Sequence, residues 1–402
     1  MEEMIMKKEK ITHLLSVIFI ACFCLLLTVA TAMGLILNPE QYSYYENRNL
    51  SAAPELTVDG VMDGSFFTDF DTFIKERSSS REAFLRLSTF IDLYILHRPV
   101  VNEVIVAKDT LLPYNDYETV SDYNVNYYSD VVTENLKSHT DLVESYGGSF
   151  YYVAVPCQYV CKSDAYPWYL NNRNEYTVAS RKALFPKLDA ASVDYIDMLE
   201  YYENAGRPDS YTSNIDNHYS ILGGYATYSE IIDRINLDGK HVLDPLEDGE
   251  FSYTEVQTRY LGSRTRKLFD MWNISEPIGM IIPDVDVPFT RYNYGSKGAS
   301  TVYSIPGEDE QYATYGVYMG GDISETIIET NRPELPSVLV YGDSFTNAVE
   351  SLLWYNFDTM YSLDYRYYDE MDLHSYIEKY KPDIVICIRD YEAILAPWGN
   401  GI

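Results

Sequence analysis

The last third of the chain constrains the fold most. From residue 338 onward, short apolar runs rich in β-branched residues alternate with segments of helical apolar spacing. The pattern predicts strand 338–341, helix 346–354, strand 359–363, helix 371–380 and strand 384–388. Strands that alternate with helices return to the same sheet in parallel, which implies a mostly parallel sheet in three layers. In such sheets the site lies beyond the carboxyl ends of the strands. The first of these strands ends there, in the corner Gly342-Asp343-Ser344-Phe345-Thr346. A serine at a strand-to-helix corner sits among unpaired backbone N–H groups at the positive end of the helix dipole, which together stabilise an oxyanion. The same place also suits a serine that only caps the helix.

A nucleophilic serine needs a base, and the base needs an orienting acid. Of the six histidines, His218 follows Asp216 by two residues and stands just before Ser220, which is placed to cap a helix over 221–235. An Asp and a His at that spacing hydrogen-bond locally and leave the second imidazole nitrogen free to face Ser344. His13 belongs to an apolar N-terminal run, and His97, His139, His241 and His374 have no comparable turn around them. A surface Asp-x-His loop would read the same way.

Earlier elements follow in order. Residues 38–65, with Pro39, Pro54, Gly60 and Gly64, read as a linker. Helical spacing runs from Phe66 to about His97, and a hairpin is expected over 104–106 and 110–112. A helix over 117–146 precedes a buried strand over 148–156. A helix over 177–189, a strand over 193–196 and a short helix from Met198 to Glu203 complete this part. Residues 240–335 alternate β-like runs at 251–259, 279–282, 301–305 and 316–319 with polar turns. They read as an irregular β insertion over the core. Arg366 and Arg389 each follow or end a late strand at the active edge, and so are candidates for that edge. Surface arginines beside acidic residues such as Asp364 and Asp390 are more usually simple ion pairs.

Leu14 to Leu37 is a run of 24 uncharged residues preceded by Lys7, Lys8 and Lys10. It is long enough to span a bilayer, and the lysines favour a cytoplasmic tail at 1–13. Ala30-Thr31-Ala32 also offers a signal-peptide cleavage site. The net charge of −31 lies wholly beyond residue 37, because three lysines and three glutamates cancel within residues 1–37. Such a surface repels polyanions and excludes a nucleic-acid role. Forty tyrosines suit sugar faces, but their even spread also suits core packing. Cys157 and Cys161 leave a disulfide open, and no Cys/His spacing points to a metal.

Two motifs together, Asp216-Asn217-His218-Tyr219 and Gly342-Asp343-Ser344-Phe345, resemble the SGNH-hydrolase-like alginate O-acetyltransferase family of AlgX/AlgJ type, with its Gram-positive DHHW relatives. Glu46-Asn47-Arg48-Asn49-Leu50 with Pro54, the segment Phe66 to Phe84 with its basic pair within Arg77 to Arg81, Val155-Pro156 and Lys381-Pro382-Asp383-Ile384-Val385 are similar to the family's layout as well. The resemblance covers roughly residues 40–395. The family's fuller Asp-His-His-Trp is altered here at Asn217 and Tyr219, and no Gly-x-Asn-Asp block is visible.

The resemblance implies an α/β SGNH-like domain over 66–402, outside the cell and anchored by 14–37, that O-acetylates a cell-surface polysaccharide. Ser344 would be the nucleophile, His218 the base and Asp216 the orienting acid. Gly342, Asn347, Arg366 and Arg389 are candidates for the oxyanion or substrate. No cofactor is implied. The implied acetyl donor is a multi-spanning membrane-bound O-acyltransferase. An esterase with the same triad, or a non-catalytic glycan-binding scaffold, fits the same residues.

Overall fold

A computed structural model of the chain describes residues 2–37, 42–46, 48–77, 81–114, 122–298, 300–397 and 399–401. It divides into two units, residues 1–102 with 266–271, and residues 103–265 with 272–402.

The first unit begins with a helix over Glu2–Leu37. Among the described residues no helix is long and apolar enough to cross a membrane, so the anchor expected over 14–37 finds no support here. Within it Ser16 and Thr28 return their hydroxyls to the helix's own carbonyls at Thr12 and Cys24. The stretch expected as linker contains the strand pair Tyr42–Ser43 and Arg48–Asn49 and a helix over Val58–Asp63. Thr57 caps that helix by accepting from Gly60 N–H, and Gly64 ends it at φ +86°, a conformation that costs glycine little. Helices Ser65–Glu76 and Arg81–Phe90 follow.

Charge ties these pieces together. Arg81 grips Glu46 through two N–O contacts of 2.8 and 2.7 Å, the bidentate geometry that suits a guanidinium. Glu76 accepts from Ser51 N–H at 2.6 Å and pairs with Arg48 at 2.7 Å. The Ser51 N–H first, and Arg48 with it, hold the Glu76 carboxyl down at about 2. Glu46 of the family-like signature is thus bound by Arg81 of the basic pair.

The second unit is built on an eight-stranded sheet, numbered here in chain order: β1 Ser149–Val155, β2 Tyr195–Asp197, β3 Thr290–Asn293, β4 Ser296–Lys297, β5 Glu325–Glu329, β6 Val338–Gly342, β7 Thr359–Asp364 and β8 Ile384–Asp390. Across the sheet they run β4-β3-β5-β7-β6-β8-β1-β2. The five strands from β7 to β2 are parallel, and β4, β3 and β5 extend that sheet antiparallel. Every residue of β1 and β6 is buried, as expected where helices cover both faces of a parallel sheet.

Helices Asp122–Ser145, Asn174–Ala191 and Leu373–Tyr380 pack in one group, and Ile221–Asp238 lies on Thr346–Leu353. The predicted hairpin is present as Val104–Val106 paired with Leu111–Pro113.

The range 240–335 departs from expectation. Phe251–Glu255 and Gly279–Pro283 do form a separate antiparallel pair. Three other strands of this range, β3, β4 and β5, join the main sheet instead of lying over it. Residues 301–305 and 316–319 are not strands. They meet only at a Tyr303–Tyr318 bridge, beside a 3-10 turn over Tyr315–Val317. Alternation in the sequence does not distinguish a free-standing hairpin from an added sheet edge. Cys157 and Cys161 are both free thiols, so the disulfide left open by the sequence is not formed.

Candidate active site

The corner after β6 has the predicted shape. Gly342 is paired to Ile388 of β8, and a Cβ there would collide with the Ile388 carbonyl oxygen. Asp343 turns the chain: one carboxylate oxygen accepts from Phe345 N–H at 2.9 Å, and its carbonyl accepts from Thr346 N–H at 2.9 Å. Helix Thr346–Leu353 has no side-chain cap, so Ser344 does not spend its hydroxyl on capping it. Ser344 is the one residue from 341 to 350 that is not buried.

The partner loop is equally local. Thr212 and Tyr219 form a bridge that closes residues 213–218 into a tight loop, and Ser220 caps the next helix by accepting from Leu222 and Gly223 N–H. Within it, Asp216 Oδ1 accepts from His218 N–H at 3.1 Å and lies 2.6 Å from His218 Nδ1. His218 Nε2 lies 2.8 Å from Ser344 Oγ. Although 126 residues separate them, the expected base and nucleophile are within hydrogen-bond reach. Tyr219, where the family's fuller motif has Trp, donates its hydroxyl to the Phe345 carbonyl and so ties the loop to the corner.

Residues with no sequence signal hold this arrangement. Asp216 is buried, and its second carboxylate oxygen accepts from Ser263 N–H at 2.6 Å. Ser263 Oγ also receives Asn217 N–H at 3.1 Å. Beneath the loop, Ser213 Oγ accepts from Asp216 N–H at 2.8 Å and donates to Glu276. Glu276 also accepts from Asn214 N–H at 2.9 Å, and Lys162 donates to the Asn214 side chain at 2.7 Å. Burial is the main cause of a raised Glu276 pKa, against the Ser213 and Asn214 bonds that lower it.

The four remaining candidates are placed as follows. Arg389, 0% exposed, reaches back from β8 to Asp343 Oδ2 at 2.7 Å and braces the corner. It is not a surface residue, and its ion pair is with Asp343. Arg366 pairs with Asp364 at 2.6 Å and with Asp322 at 3.1 Å. Asn347 is buried and donates its amide to Asp322 at 3.4 Å. Gly342 shapes the corner through its lack of a side chain. Among the described residues no group of three or more His, Cys, Asp or Glu is arranged to hold a metal.

No protein-family model matches the chain, and no curated protein matches it either. Solved structures do. Bacillus cereus PatB1, solved with a sulfonyl adduct, superposes with a TM-score of 0.59 at 18% identity, over 72% of this chain and 97% of that one. A DHHW family protein from Eubacterium siraeum gives 0.52 at 17% identity, over 74% and 96%. The O-acetyltransferase domain of Pseudomonas putida AlgJ gives 0.45 at 11% identity, over 73% and 93%. The chain shares the fold of PatB1 and of the DHHW family protein, and the family resemblance read from its motifs holds at the level of fold.

Proposed function

We propose that the chain is an O-acyltransferase that acetylates a cell-surface polysaccharide through an acyl-serine on Ser344. The observation that carries this reading is the unbroken line Asp216 Oδ1 to His218 Nδ1 at 2.6 Å and His218 Nε2 to Ser344 Oγ at 2.8 Å. Ser344 Oγ attacks the acyl carbonyl as its proton passes to His218 Nε2, and Asp216 fixes the tautomer and steadies the imidazolium. The proton then leaves with the donor's oxygen. In the second half His218 takes the proton of a sugar hydroxyl, whose oxygen attacks the acyl-serine and restores Ser344. The sulfonyl adduct of PatB1 is the kind of product an activated nucleophile gives, which supports a nucleophile on this shared fold.

The acetyl donor is a multi-spanning membrane-bound O-acyltransferase, as the family resemblance implies. The chain is placed at the cell membrane with residues beyond 37 outside. The lysine-rich approach at residues 7–10 and the exposed apolar side chains of Phe19 and Leu26 support a place at the membrane.

Incubating the purified chain with an activated acetyl ester, with and without oligosaccharide, tests the reading. Acetyl-oligosaccharide formed by the parent and absent with Ser344→Ala supports it. Acetate release unaffected by sugar identifies an esterase instead, and glycan binding without any turnover identifies a scaffold.

A further inference from the structure

Two aromatic rings meet the imidazole of His218. The ring of Tyr315 stacks on it, with centroids 3.8 Å apart and planes 7° from parallel. Phe345 is tilted at 49° with its centroid 5.0 Å away. The stack is not placed by the tyrosine's own polar group. Tyr315 is buried, and its hydroxyl has no hydrogen-bond partner among the described residues. The ring is instead placed by backbone and by a neighbour. Thr314 caps the turn over Tyr315–Val317 by accepting from Gly316 N–H at 3.3 Å, and Tyr318 meets the ring edge-on at 4.9 Å. Tyr318 is itself anchored by donating to the Gly279 carbonyl at 2.8 Å. A buried hydroxyl left unpaired is disfavoured and calls for an explanation. Here the feature that the surroundings hold in place is the aromatic face.

We infer that Tyr315 is a positioning residue for His218: its ring keeps the imidazole in the plane that joins Asp216 to Ser344 and stabilises the imidazolium formed as Ser344 loses its proton. This rests on the triad reading above. An aromatic face within about 6 Å attracts a cation through its quadrupole, more strongly when water is excluded. Among the described residues the imidazole meets Asp216 at Nδ1, Ser344 and the Asn217 amide at Nε2, and the rings of Tyr315 and Phe345. Asp216 is the charged one. The ring therefore adds to the carboxylate's support without competing for either nitrogen.

The test is the pH profile of kcat/KM for hydrolysis of 4-nitrophenyl acetate by the full chain. Tyr315→Leu removes the π face, so kcat/KM falls by roughly ten- to a hundredfold with little change in KM, and the acid limb moves toward lower pH. Tyr315→Phe keeps the face, and both rate and limb stay near the parent's. If the Leu variant does not fold, pentafluorophenylalanine at 315 keeps the shape with an electron-poor face, and its acid limb moves in the same direction. An acid limb unmoved in the Leu or fluorinated variant overturns the inference, as does a Phe variant as damaged as the Leu one. Ser344→Ala run alongside separates the two failures. Turnover surviving without Ser344 removes the triad reading, whereas its loss with unmoved Tyr315 limbs removes only the role of Tyr315.

Discussion

The corner after β6 and the wall opposite it are built by different rules. The corner rests on consecutive residues and on a neighbouring strand: Gly342, Asp343 and Ser344 in one turn, braced by Arg389 of β8. The wall gathers Ser213, Asp216 and His218 from one loop and steadies them with Ser263, Glu276 and Tyr315 from the range 260–315. The nucleophile thus sits on regular structure, and its base on a loop held from outside. A site arranged this way loses chemistry when the corner is altered and loses alignment when the wall is altered.

Five substitutions sharpen that contrast, from the largest effect to the smallest. Ser344→Ala deletes one partly exposed oxygen, so acyl transfer is abolished while the thermal melt is unchanged. His218→Ala loses a comparable factor, and the double variant is no worse than either single one, because triad members act as a unit. Steady-state rates beside a melting curve decide both points.

Arg389→Met breaks the corner by a different route. It leaves Asp343 buried without its cation, a change that costs on the order of 3–5 kcal/mol. Tm then falls by about 10 °C, measured by calorimetry. A variant that melts with the parent would show that the brace is not needed.

Glu276→Ala tests the wall. The loop keeps its sequence but loses the acceptor for Ser213 and Asn214, so kcat/KM falls by roughly ten- to a hundredfold through misplacement alone. KM and acyl-serine chemistry persist at a reduced rate. Rescue by Glu276→Gln, which retains an acceptor oxygen, would confirm alignment as the cause.

Glu350→Gln has the smallest effect and reports on the helix behind the nucleophile. Glu350 is 2% exposed, one carboxyl oxygen has no partner among the described residues, and burial pushes its pKa up to about 7 against the Thr346 and Ser362 hydroxyls. The folded state therefore holds a proton that the unfolded chain releases near pH 4.5. Its stability is whole below that pH and declines as pH rises toward about 7. The Gln variant escapes the decline, gaining on the order of 2 kcal/mol over the parent at pH 8 and little at pH 4. Denaturant melts at the two pH values give the comparison.

The sequence was legible where the physics is local. A β-branched run, a Gly-Asp-Ser corner and a helical spacing within the 17 residues 338–354 already specify β6, the turn and the helix, and Asp216 needs only two residues to reach His218. It was silent where a contact depends on distant chain. Ser263 meets Asp216 from 47 residues away and Glu276 meets Ser213 from 63; neither lies in a periodic segment. Arg389 was legible as a candidate for the active edge but not as a buried brace. β8 is covered on both faces, so its residues do not alternate between apolar and polar, and nothing marks the arginine as inward. Tyr315 is one of forty tyrosines and carries no label that separates it from the rest.

Gly342 and Ser344 stand two positions apart, yet a saturation library would sort them into different classes. At 342 any side chain larger than hydrogen meets the carbonyl of the adjoining strand, so nearly every replacement should vanish from a screen for cellular abundance. At 344 small replacements should survive that screen and fail only in one for acetylated product. The interval between the two scores, plotted along the chain, would draw the boundary between what the protein needs to exist and what it needs to act.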